Sequence, residues 1–479
     1  MVIPLQIRNP DLLGQKMKKL RSSSSSSNAF SCCFKYNIIQ TLHIIIYLFL
    51  NITIANGFNP LIQLPSSGLY RSNNPSSSKT VVLNINEFGA KGDGITDDTK
   101  TLLDVWTVAC SSPSPAKIVI PARNSYLVKQ TDFAGPCKSN VTLRISGTIV
   151  APQDPMVWDG LDVHKWLYFH GVKSLTVEGG GIIDGMGHEW WAQSCKRNES
   201  NPCSHAPTAI TFHKCNNLKV RRITLVNSQQ MHMAFTNCKH VSVSGLTIEA
   251  PADSPNTDGV HISASTHVEL KDAVIGTGDD CVSIVSNSSR IRIKNIVCGP
   301  GHGISIGSLG KYKSYAAVQD VIVDGAILFD TENGVRIKTW QGGSGFVRKI
   351  TFQDIWMYNV SNPIIIDQYY CDSPVPCLNQ TSAVSIDSIS FRGIKGTSAT
   401  EEAIELLCSE SYPCKKIYLE DIQLVSLSGF SKSSCWDAYG TSSGMIIPPS
   451  CVLSNDITRQ KAKSSLTNLW KMMIDYVLI

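Results

Sequence analysis

Residues 256–307 read NTDGVHISASTHVELKDAVIGTGDDCVSIVSNSSRIRIKNIVCGPGHGISIG, and two periods are superimposed in them. The short period is alternation: VELKDAVIG from Val268 and IRIKNIVCG from Ile291 place aliphatic side chains on one face of a strand and polar ones on the other. Each breaks at a polar turn and resumes in a second apolar run. The long period is the interval between these near-copies, which is 23 residues.

Outward from this stretch the same pattern recurs. It is present upstream in VTLRISGTIV from Val141, SLTVEGGGII from Ser174, LKVRRITLV from Leu218 and VSVSGLTIE from Val241. Downstream it continues in VIVDGAILF from Val321, ITFQDIWMY from Ile350, ISFRGIKG from Ile389 and IYLEDIQLV from Ile417. A β-sandwich also uses many short strands, and a propeller would need four strands in each repeat of roughly 40 residues. The closer spacing favours a solenoid. The expected fold is all-β, a right-handed parallel β-helix in which stacked coils bury their inward aliphatic residues in one continuous core.

Outward positions are then free for chemistry. Asp258 lies in NTDGVHIS, Asp279 and Asp280 in GTGDDCVSI, and His302 in GPGHGISIG, so that Asp258, Asp280 and His302 follow one another at steps of 22 residues. With coils of that length, equal steps stack side chains about 4.8 Å apart on one face. Farther on, RIKTWQGG supplies Arg336 and Lys338, and DQYYC supplies Tyr370. Each motif alone is an ordinary turn or strand face. Together they collect three carboxylates, an imidazole and two cations. Neighbouring carboxylates push one pKa up and keep one group protonated, as glycoside hydrolysis requires of its acid, while Arg336 and Lys338 could clamp a uronate.

Bulk composition narrows the remaining classes. Of 479 residues 42% are apolar and 17% charged, which excludes wholesale disorder and a polytopic membrane protein. The net charge of +5 is spread without basic stripes, so no nucleic-acid partner is expected. Sixteen cysteines lack the CxxC pairs of zinc sites and point to an oxidising compartment. Setting aside Cys32 and Cys33, fourteen remain, an even number suited to disulfides, with Cys371–Cys377, Cys408–Cys414 and Cys435–Cys451 as short staples. Asn140, Asn198, Asn287, Asn359 and Asn379 open N-x-S/T sequons.

The apolar run from Ile38 to Ile54, behind Lys16, Lys18, Lys19, Arg21 and Lys35, reads as a signal peptide, with a signal anchor as the alternative. The expected organisation is a basic region and signal over residues 1–56, a linker over 57–80, the β-helix over 81–452, and an atypical tail over 453–479. A secreted chain, without a stable membrane partner after cleavage, is expected from that reading.

From about Asn84 to Cys451 the sequence resembles the plant polygalacturonases of glycoside hydrolase family 28. The resemblance rests on FGAKGDGITDDT from Phe88, WWAQSC from Trp190, NSQQMHMAFTNC from Asn227, the four motifs above and CWDAYG from Cys435. It implies inverting hydrolysis of α-1,4-galacturonosidic bonds in pectin on a right-handed β-helix, with neither metal nor organic cofactor. By position, Asp279 resembles the general acid, and Asp258 and Asp280 the pair that activates water. His302 resembles the imidazole that tunes the acid, Arg336 and Lys338 the substrate-carboxylate binders, and Tyr370 the aromatic of the cleft; Asn256 and Gly278 shape the motifs. Relatives acting on rhamnogalacturonan or xylogalacturonan, a pectate lyase, and a non-catalytic pectin-binding wall protein are the rival readings.

Overall fold

The alternation seen in sequence is realised as parallel ladders. In the computed structural model, which describes residues 79–373 and 375–454, strand Thr266–Gly276 pairs in parallel with Ser288–Cys298, and that strand with Tyr315–Phe329. The ladder continues through Ser344–Val360, Ser385–Ser398 and Cys414–Ser426. Val268, Ile291, Val321, Ile350, Ile389 and Ile417 occupy one inward column and are buried. Within the column each valine or isoleucine packs against another one coil away.

The polar or glycine turn inside each repeat is a corner of the coil. Asp272, Asn295, Gly325, Asp354, Gly393 and Asp421 all have φ between 50° and 73°, the left-handed region that Gly, Asn and Asp adopt most cheaply. Asn295 donates to the Asp272 carboxylate of the preceding coil at 2.9 Å, so the corners are tied to one another.

A second parallel sheet closes the coil and carries or adjoins the residues singled out in sequence. It runs through Met233–Thr236, Val260–Ser263, Val282–Ile284, Ile304–Leu309, Asn333–Thr339, Asn362–Asp367 and Glu402–Leu407. Register advances from Val260 to Val282 to Ile304 in two steps of 22 residues, then to Val335 by 31 and Ile364 by 29. The first two steps are those from Asp258 to Asp280 and from Asp280 to His302.

Helix Thr99–Ser111 packs at the N-terminal end, where Trp106 meets Phe133 and Phe169 edge-on at 5.2 and 5.5 Å. From there Phe133, Phe169, Phe212 and Phe235 stack coil upon coil.

Six disulfides form, among them the three short staples expected, together with Cys110–Cys137, Cys195–Cys203 and Cys281–Cys298. The expectation that all fourteen cysteines pair is corrected: Cys215 and Cys238 are free thiols in adjacent core positions. Five sequon asparagines are all exposed. The leader, Cys32, Cys33, the linker up to residue 78 and the tail from residue 455 lie outside the described residues. Among the described residues no helix is long and apolar enough to cross a membrane.

Candidate active site

All nine residues singled out in sequence line one cleft of about 530 Å³: Asn256, Asp258, Gly278, Asp279, Asp280, His302, Arg336, Lys338 and Tyr370. Close backbone approach sets the local shape. A Cβ on Gly278 would lie 2.0 Å from the Ser254 carbonyl oxygen, and one on Gly259 would lie 2.6 Å from that of Cys281, so only glycine lets these turns seat against their neighbours. Thr257 accepts from the Gly278 N–H at 3.0 Å and donates to the Ser254 carbonyl, tying NTDG to GTGDD. The disulfide Cys281–Cys298 fixes the strand that follows Asp280.

Asp280 is the most enclosed of the three aspartates. Its Oδ1 accepts from Ser305 Oγ at 2.7 Å and from Arg336 Nη2 at 2.9 Å, and its Oδ2 accepts from Lys338 Nζ at 2.8 Å. Carboxylate and both cations are buried. Arg336 and Lys338 are thus engaged within the protein, on Asp280, while their faces still line the cleft.

Asp258 accepts from Ser283 Oγ at 2.6 Å, and Ser283 is itself 2.8 Å from His261 Nδ1. Burial pushes the Asp258 carboxyl well above the usual carboxylate range, and the charges of Asp279 and Asp280 push it further. Half-buried His261 and buried His232 are pushed down to about 4 by desolvation and stand as neutral rings.

Asp279 forms a different pair. Its Oδ1 lies 3.1 Å from His302 Nδ1 and accepts from the Asp280 N–H at 2.7 Å, leaving Oδ2 beside Asn256 Nδ2 at 3.4 Å. Burial works to raise the Asp279 carboxyl, but the hydrogen bond and charge of His302, with the charge of Lys338 and the Asp280 N–H, together outweigh it and hold the group below its ordinary value. In return, burial works to lower His302, while Asp279 and then Glu332 overcome it and raise the imidazole. Glu332 Oε2 sits 3.3 Å from His302 Nε2 on the other side of the ring.

One ligating atom from each of Asp279, Asp280 and His302 lies within 4.8 Å of the others, close enough to grip a cation. Asp280 already spends both oxygens on Arg336 and Lys338, and Asp279 Oδ1 serves His302, so the donor set is committed to acid–base pairing.

Sequence reasoning missed several members of the site. Ser283 and Ser305 share the 22-residue step with the aspartates, and that spacing could have found them. His232 holds the backbone at the first aspartate, with Nδ1 3.2 Å from the carbonyl oxygens of Thr257 and Asp258. Glu332 and the ion pair of Lys196 with Asp372 come from loops, where no periodicity points to them. Tyr370 lies edge-on to Trp340 at 5.6 Å, with Lys338 Nζ 5.4 Å from the tyrosine ring centre.

The family model described as glycosyl hydrolases family 28 matches residues 110–444. A probable polygalacturonase of Arabidopsis thaliana is 56% identical over 420 residues, covering 87% of this chain and 94% of that protein. A polygalacturonase of Persea americana is 50% identical, covering 74% of this chain and 76% of its own. Among solved structures, a polygalacturonase from Erwinia carotovora superposes with a TM-score of 0.63 at 20% identity, over 79% of this chain and all of that one, which is a likeness of fold.

Proposed function

This chain belongs to glycosyl hydrolases family 28, and we propose that it hydrolyses the α-1,4-galacturonosidic backbone of pectin with inversion, as a secreted monomer of the cell wall. The observation that carries the reading is the division of labour among the aspartates. Asp280 is held by two cations, while Asp279 shares an imidazole and keeps Oδ2 toward the cleft. Two carboxyl environments that differ this much suit one donor and one acceptor of protons.

In this reading Asp279 donates to the departing O4 as the C1–O4 bond breaks, drawing on the proton that it shares with His302. A bound polyuronate brings negative charge and displaces water, and both effects raise the Asp279 pKa and favour moving that proton onto the carboxyl. Asp280, with Asp258 beside it, takes the proton of the water that attacks C1. Arg336 and Lys338 hold Asp280 on one side and offer the remainder of their charge to the substrate carboxylate. Exposed sequons and six disulfides support passage through a secretory lumen.

The test is proton NMR during early hydrolysis of a de-esterified oligogalacturonate. The β-anomer should appear first at the new reducing end if water attacks C1 directly from the face opposite the departing O4. Initial α-product, or an unsaturated product absorbing in the ultraviolet, would overturn the proposal.

A further inference from the structure

A second cavity, of about 280 Å³, adjoins the main cleft on the N-terminal side of the aspartates. Pro255 and Asn256 line both, so the two are continuous. Its walls are Trp190, Trp191, the loop closed by Cys195–Cys203, and the pair Gln229 and Gln230 that precedes strand Met233–Thr236. That strand pairs with Val260–Ser263, which follows Asp258, and the cavity therefore sits about one coil, roughly 4.8 Å, before the first aspartate.

Two independent features set it apart. Among the described residues, no Asp, Glu, Lys or Arg side chain lines it, whereas the main cleft presents Lys196, Arg336 and Lys338. Gln229 is 2% exposed, yet neither its Nε2 nor its Oε1 has a hydrogen-bond partner, and the same holds for Trp190 Nε1. A buried amide with both ends unpaired is costly and rare in folded proteins, which marks it as a group awaiting a ligand. Its neighbours are already satisfied: Trp191 Nε1 donates to the Ser228 carbonyl at 3.0 Å, and Gln230 accepts from the Ala206 N–H.

We propose that this cavity is a subsite for a methyl-esterified galacturonate residue of the same polymer whose cleavage occurs at the aspartates. The inference rests on the reading of the chain as a pectin hydrolase. Continuity with the cleft makes the occupant part of the same backbone. The cavity's one titratable side chain is His205, so a free uronate here would lose water without meeting a lysine or arginine, which is unfavourable. Its methyl ester removes the charge, keeps a carbonyl to accept from Trp190 Nε1 or the Gln229 amide, and lays a methyl group against Trp190 and Pro202. The enzyme then reads two chemical states of one polymer, with free acid at the scissile point and ester one subsite away.

The experiment uses the full secreted chain and oligogalacturonides of fixed length with methyl esters at mapped positions, and sequences the products by tandem mass spectrometry. Esters should recur at one fixed distance from the new chain end, and kcat/KM should favour the ester over the acid at that position by about tenfold or more. Gln229→Leu should lower that ratio about 2- to 10-fold, the factor carried by one lost hydrogen bond. Ser204→Lys, on the exposed rim of the cavity, should lower it by about tenfold by giving a free uronate its cation. Esters at random positions, exclusion of esters throughout, a requirement for a xylose branch at that position, or a ratio unmoved in both variants would each overturn the subsite. Failure to release reducing ends from fully de-esterified polygalacturonate would instead overturn the hydrolase reading itself.

Discussion

Replacing Asp280 by asparagine should unfold the cleft more readily than it merely slows it, and the structure fixes why. The side chain is 2% exposed, and its two oxygens accept from Ser305, Arg336 and Lys338 within 2.9 Å. Asparagine fills the same volume but has one acceptor oxygen, and its NH₂ must face either a guanidinium or an ammonium. Two buried cations then lack an anionic partner, a loss of about 3–5 kcal/mol for breaking a buried pair from one side. For a chain of this size that corresponds to a fall in melting temperature of roughly 5–10 °C. The assay is thermal unfolding followed by tryptophan fluorescence, alongside the double variant Asp280→Asn with Lys338→Met. Removing one stranded cation should recover about 1–3 kcal/mol, a coupling typical of residues in direct contact. Melting of Asp280→Asn within about 1 °C of the parent, or strictly additive losses in the double variant, would refute the claim that this triad holds the cleft together.

Three further outcomes follow from the same geometry. Asp279→Asn should leave the protein folded, with only the modest stability carried by the His302 pair lost, while lowering kcat by roughly 10² to 10⁴, the usual effect of losing a general acid, and a near-normal rate in folded protein would remove it from that role. Lys338→Ala should raise KM more on free polygalacturonate than on highly methyl-esterified pectin; equal losses would mean that Lys338 acts only through Asp280. Glu332→Gln removes a charge that raises the His302 pKa, so the alkaline limb of the pH–rate profile should move to lower pH, and an unmoved limb would exclude the contact from tuning the acid. The pair also shapes stability: His302 is raised above 6.5, so its contribution is complete below that pH and fades as pH rises through the folded value. Asp279 is lowered below 3.8, so its contribution is complete above that pH and fades as pH falls through the folded value.

What could be read from sequence was what repeats. Alternation and the recurrent polar corner predicted the coils because each coil must bury the same column, and the corner residues Asp272, Asn295, Gly325 and Asp354 are the types that tolerate a left-handed backbone. Equal steps of 22 residues placed Asp258, Asp280 and His302 in one cleft because two successive coils carry no insertion. Beyond His302 the step lengthens to 31, and spacing no longer told where Arg336 would fall; register with Ser305 puts it one coil on, beside Asp280. Contacts made by loops were invisible in principle. Lys196 meets Asp372 across 176 residues, and nothing periodic links them. The two unpaired thiols were also beyond reach, since Cys215 and Cys238 are buried in the core just as the disulfide cysteines Cys281, Cys298, Cys408 and Cys414 are.

The same register that builds the core also aims the chemistry. In the cleft-bearing sheet, Val260, Val282, Ile304 and Val335 point inward in one column, and their neighbours His261, Ser283, Ser305 and Arg336 point outward in the next. A slip of one residue in any strand would turn an aliphatic side chain to the cleft and a polar one to the core, so the hydrophobic column locks the polar one. Asp258 and Asp280 are then held by Ser283 and Ser305, each one coil farther on, and Asp280 by Arg336 two coils on. Each carboxylate is thereby positioned by a coil other than its own. Small shifts in any one coil are resisted by those stacked on it, and this is how a solenoid whose cleft lies open on one face keeps Asp258 and Asp280 in fixed positions.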